Sequence, residues 1–257
     1  MNNIFNHQRF MMLFKKHTIE HAKTYLLSVA VLIGLLFLVL GFYSYTSNRQ
    51  LGGTAQMVTF IFFILIGGSI FTSLTFIELG DKRKSIPFLT LPASHFEKFL
   101  VSWIYSFVLF QVVLIGAFYL TASIIISMGA APDEGSRLIN VFAMGQKPYG
   151  AFIIYAVFHG LTIWGAIFFE KMHFIKTAFV FFICLIVLLV INSQTLNLLI
   201  SKDTEGVPFI QTSITTNHHY WQINPGKGVT HYGRFILYLT VVLLWTSAFF
   251  RLKEKEV

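Results

Sequence analysis

Long apolar runs separated by short polar stretches dominate this chain. An α-helix needs about 20 apolar residues to cross a hydrocarbon core. Six runs meet that need, at roughly 24–46, 54–78, 99–128, 149–169, 174–195 and 233–250. The third is longer than a span requires, which fits a helix that begins in water. None shows the short alternating strands of a membrane barrel. The pattern predicts an all-α polytopic membrane protein, with residues 1–257 forming a single transmembrane domain. The first run starts late and is too long for a cleavable signal peptide, so it reads as a retained span.

Composition points the same way. Hydrophobic residues make up 55% of the chain and charged residues 12%, where a soluble domain carries about 25% charged. The single cysteine, Cys184, lies inside an apolar run. It allows neither an internal disulfide nor a cysteine metal cluster. The net charge of +8 could suggest nucleic acid. Its distribution favours topology instead. With the N-terminus in the cytoplasm, 13 of the 19 Lys and Arg fall in inner segments and 6 in outer ones, as orientation by loop charge requires. Both termini are then cytoplasmic. Anionic headgroups of membrane lipids account for the basic charge, and no nucleic-acid partner is needed.

Residues 4–22 precede the first span. On a helical wheel Ile4, Phe5, Met11, Met12, Phe14, Ile19 and Ala22 share one face, and Asn6, Arg9, Lys16, His17 and Glu20 the other. This predicts an amphipathic helix lying in the interface; the alternative is a plain topogenic flank. The outer segment 196–232 is polar and aromatic, with room for short helices or a re-entrant piece.

Between the second and third runs lies LTLPASHFEKFL, residues 89–100. Pro92 stops any helix arriving from upstream. Ser94 and Glu97 form a Ser-x-x-Glu capping box. A helix is therefore expected to start at Ser94, outside the membrane, and to run into the third span.

Chemistry-bearing residues are few. The six span cores hold no Asp, Glu, Lys or Arg, which counts against ion-coupled transport. GKG at 226–228 is not a P-loop, so the chain has no ATP site of that kind. No nucleophile elbow, HExxH or catalytic carboxylate pair occurs, so no enzyme activity of its own is expected. Gln111 and His159 fall near mid-span. They could line a pathway, or bond across helices for about 1 kcal/mol. Asn192 stands at the outer end of the fifth span, where a polar vestibule and plain solvation look alike. His218, His219 and His231 cluster in the outer segment. They suggest a metal site, or an interfacial belt with Tyr220 and Trp221. Small pairs at Ser69 and Ser73, Ser102 and Ser106, and Ala156 and Gly160 permit close helix packing.

The run from Phe76 to Leu100, FIELGDKRKSIPFLTLPASHFEKFL, resembles the cytoplasmic loop between the second and third spans of type-2 ABC transporter permeases. Its L-P-A-S-x-x-E-K-F-L form is most similar to the small permeases of Bacteroidetes-type bacteria. The resemblance implies a subunit of an ATP-driven exporter in the bacterial inner membrane. It would work with a second permease copy or a related permease, and with separate ABC ATPase subunits. ATP and Mg would sit on the ATPase, and this chain would bind no cofactor. The 79–99 loop would be the coupling element, with Pro92 to Phe99 docked in an ATPase cleft. Ser94 and Glu97 would fix the turn. His95, Phe96 and Lys98 would be its exposed contacts. The tight turn from Glu170 and Lys171 to His173 would be a smaller second contact. The alternatives are an ion-coupled or passive transporter, and a membrane protein with a metal site at the outer histidines.

Overall fold

Apolar sequence within a bilayer leaves the backbone no water to bond, so each run closes its own hydrogen bonds as a helix. The computed structural model shows this plainly. It describes residues 5–47, 50–76, 93–129, 137–143, 147–169, 172–199, 204–207, 211–216, 219–223 and 227–254. Helix α1 spans His7–Thr46, and α2 spans Gly53–Phe62. A π-turn over Phe63–Gly67 joins α2 to α3, Gly68–Thr75. Helix α4, His95–Trp103, continues through a second π-turn, Ile104–Leu109, into α5, Phe110–Met128. Then come α6, Lys147–Phe168, α7, His173–Leu199, and α8, Lys227–Glu254. Six helical stretches are long and apolar enough to cross a membrane: His7–Thr46, Gly53–Thr75, His95–Met128, Gly150–Phe168, Ile175–Leu198 and Tyr232–Glu254. The chain is a multi-pass membrane protein by that measure.

Two expectations change. The segment expected as a separate interfacial helix is the first part of α1, which runs unbroken for 40 residues. No Pro or Gly stands between residues 4 and 33 to interrupt it. Segment 196–232, expected to hold short helices or a re-entrant piece, contains three strands among its described residues. These are β1, Thr204–Val207, β2, Gln211–Thr216, and β3, His219–Ile223, in antiparallel order β1-β2-β3. Thr212 pairs with Ile223 and Ile214 with Trp221. The run QTSITT is rich in β-branched residues, which favour a pleated strand over a helix.

The core lies in two parts. One gathers Leu36 and Leu40 of α1, Phe60, Ile64, Phe110, Leu114 and Phe118, and Tyr155 of α6. The other joins Phe76, Phe99, Ile163, Ile167, Ala248 and Leu252. Ser69, Ser73, Ser102 and Ser106 are all buried. Hydroxyls return to their own helices, Ser69 to the Leu65 carbonyl and Thr72 to the Gly68 carbonyl, each at 2.7 Å. That satisfies their O–H donors within the helix. Helix α7 packs on α6, yet no residue of its most apolar window is buried within the chain.

Gln56, fully buried on α2, ties down the segment at 137–139. Its amide donates to the Leu51 carbonyl at 3.0 Å and the Arg137 carbonyl at 2.9 Å, and its oxygen accepts from Ile139 N at 3.2 Å.

The α6–α7 crossing depends on a glycine. A Cβ on Gly165 would lie 1.8 Å from Thr177 Oγ1 and 2.7 Å from Thr177 Cβ. Gly165→Ala is expected to destabilise the protein by about 1–3 kcal/mol through overpacking, read as a lower unfolding temperature in detergent. Thr177→Ala in the same chain restores only part of the loss, because Thr177 Cβ also stands in the way.

Candidate functional site

The start of α4 is built as its residues require. Ser94, with extended backbone, is the N-cap. Its Oγ accepts from Glu97 N at 3.2 Å, and Glu97 Oε2 accepts from Ser94 N at 2.9 Å. Both halves of the capping box are therefore present. The second carboxylate oxygen does something no local pattern shows. Glu97 Oε1 accepts from Asn6 N at 2.8 Å and from Arg9 Nη2 at 3.2 Å.

Asn6 is the N-cap of α1, and its Oδ1 accepts from Gln8 N at 2.9 Å and Arg9 N at 3.4 Å. In a capping box the residue three places on would bond the Asn6 N–H. In α1 that residue is Arg9, which has no acceptor to offer. Glu97 supplies the missing acceptor from 91 residues away. One carboxylate thus closes the N-termini of two helices, where both helix dipoles favour negative charge. Glu97 is fully buried, so this charge is compensated inside the protein and not by water.

Aromatic rings extend the joint. Phe5 lies 6.2 Å from Phe96, Phe96 lies 6.0 Å from Phe249 of α8, and Phe14 lies 4.9 Å from Tyr105. The first turns of α4 are therefore locked to both α1 and α8.

Of the residues expected as exposed contacts, Phe96 is 48% exposed and His95 is part-buried. Lys98 overturns the expectation, since it is only 2% exposed. It lies one place past Glu97 on the side of the helix turned into the protein. Pro92, Glu170, Lys171 and the loop 77–92 lie outside the described residues.

His159 is the centre of a second constellation. Trp245 Nε1 donates to His159 Nδ1 at 3.1 Å, and His159 Nε2 meets Ser106 Oγ at 2.9 Å. Ser106 Oγ in turn donates to the Ser102 carbonyl at 2.8 Å. The direction of these bonds assigns His159 as the neutral tautomer with its proton on Nε2. Tyr155 adds a bond from its hydroxyl to the Ser106 carbonyl at 2.8 Å. The π-turn that carries Ser106 is thereby tied to α6 and α8. His159 is fully buried with both ring nitrogens engaged. It bonds across helices to Ser106 and to Trp245. Gln111 and Asn192 are part-buried, on α5 and α7, and do not join this group.

Among the described residues, no three His, Cys, Asp or Glu side chains gather as metal ligands. His218 lies outside the described residues, while His219 falls in β3 and His231 in α8. The sequence reading missed the Asn6–Glu97 bond, both π-turns and the Trp245–His159 pair. For the first, the one available signal was an N-cap Asn without an acidic residue three places on.

No protein-family model matches this chain, no curated protein matches it, and no solved structure matches it.

Proposed function

We propose that this chain is the membrane-spanning subunit of an ATP-driven exporter of the type-2 ABC kind, driven by a separate ATPase that docks at the start of α4. One observation supports this above the others. The capped turn at Ser94–Glu97 is closed by both bonds of its capping box, is fixed to α1 by Glu97, and continues as one helical stretch, His95–Met128, through the apolar bundle. A push on such a turn moves helices, where a push on a slack loop would be absorbed. The half-exposed ring of Phe96 and the part-buried His95 offer the docking surface.

In this reading both termini and the 79–99 loop face the cytoplasm, and the β1–β3 sheet lies outside. The early part of α1 lies at the cytoplasmic interface. Two permease chains form the pathway in the bacterial inner membrane, and ATP and Mg bind only the partner.

The test is co-purification. The protein is tagged at its C-terminus, extracted from native membranes in mild detergent, and its stoichiometric partners are identified by mass spectrometry. A soluble partner with a Walker motif, lost when residues 92–99 are scrambled, is expected. A preparation that carries no ATPase defeats the proposal and makes the capped turn an ordinary helix start.

A further inference from the structure

An apolar groove of about 500 Å³ opens between α1, α3 and α5. Its wall includes Tyr25, Leu32 and Leu35 of α1, Phe71 of α3, Tyr105 and Val113. We infer that this groove holds an acyl chain of a membrane phospholipid, drawn from the leaflet at the N-terminal end of α1.

The first argument is depth. Leu35, Phe63 and Val113 line one end, and each lies near the middle of its apolar run. Tyr25 and Tyr105 line the other. Ten residues of helix separate Tyr25 from Leu35, or about 15 Å. Half of a hydrocarbon core of about 30 Å is the same length. The groove therefore runs from the membrane surface to mid-bilayer, the reach of one leaflet's chain.

The second argument is the chemistry of the wall. Leu32, Leu35, Phe63, Leu109 and Val113 give the occupant only hydrocarbon to touch. Water is excluded as the occupant. It needs two to four polar partners, and the middle and deep end of this wall are apolar.

The third argument is the asymmetry of the ends. Only the shallow end is polar. There His17 Nε2 meets the Tyr25 hydroxyl at 2.7 Å, the His17 and His21 rings stand 4.6 Å apart, and the Thr18 and Tyr105 hydroxyls bond each other. Tyr25 and Tyr105 stack at 5.3 Å. Ring-and-hydroxyl groups of this kind sit at headgroup depth. A polar mouth with an apolar tail slot matches the polarity of a phospholipid.

The test places the full-length protein in nanodiscs of phosphatidylglycerol that carry a photoreactive diazirine on one acyl chain. Labelled peptides are mapped by mass spectrometry. Helix α7 is the control for bulk lipid, since Ile183, Ile186 and Val190 are open to the bilayer. Labels are expected to concentrate on Leu32, Phe71 and Val113 above the α7 level. Ser28 also lines the groove, and its hydroxyl bonds the Thr24 carbonyl of its own helix at 2.9 Å. Ser28→Trp fills the slot and is expected to cut groove labelling about tenfold, which is about 1.4 kcal/mol, with α7 labelling unchanged. Leu32→Trp serves if the first variant does not fold. Groove labelling no higher than that of α7, or unmoved by both variants, overturns the inference. So does a groove shielded from label by a protein segment.

Discussion

Glu97→Ala is expected to destabilise the protein by about 1–3 kcal/mol, the cost of leaving hydrogen-bond donors at a buried site without their acceptor. The variant leaves three donors without their acceptor: Ser94 N, Asn6 N and the Arg9 guanidinium. Glu97→Gln keeps one carbonyl oxygen and loses the charge, so it falls between the two. Arg9 is 30% exposed on its side chain, and Arg9→Ala is expected to cost far less. Because the two residues share one carboxylate, their effects do not add. Unfolding in detergent gives the ranking. Trypsin gives the location: with Glu97 replaced, cleavage after Lys15 and Lys16 is expected to quicken because the start of α1 is released. If cleavage there stays as slow as in the parent while stability falls, Glu97 supports α4 alone.

His159→Ala is the second large change. It removes the acceptor of the Trp245 indole N–H and the donor to Ser106. It also leaves a cavity beside Phe107 and Trp245, whose rings lie 4.9 and 5.9 Å from the imidazole. The two losses together are expected to destabilise the protein by about 2–5 kcal/mol. His159→Leu refills much of the space but leaves Trp245 Nε1 unpaired, and is expected to recover part of this. A cross-helix role ties any transport defect to the loss of stability. A pathway role would instead abolish transport in variants that fold normally, which is the result that would contradict this account.

The readable part of this molecule was local. Each apolar run announced its helix because a span must close its own backbone bonds over a fixed length. The start of α4 was legible because Ser94 and Glu97 are three residues apart and satisfy each other. What was hidden depends on meetings across the fold. Nothing near Asn6 in sequence names Glu97 as its partner. Nothing near His159 names Trp245, which is 86 residues away. Lys98 reads as a surface charge by type, and its burial follows only from how α4 sits between α1 and α8. The two π-turns left no mark, since FILIG and IYSFVL are as apolar as their neighbours. The strand QTSITT was visible in principle from its β-branched residues, but the polar setting of the whole segment masked it.

The central claim is that the start of α4 meets a soluble ATPase. Phe96 is the residue to ask, because its ring is half-exposed at that turn. A photoreactive phenylalanine analogue is introduced at position 96, native membranes are irradiated, and the adducts are identified by mass spectrometry. The expected product is a covalent complex with a cytoplasmic protein that carries a Walker motif, formed at position 96 and not at Ile186, an exposed residue of the α7 span. Adducts to lipid or to this chain alone, from membranes where the protein is folded and abundant, would contradict the account.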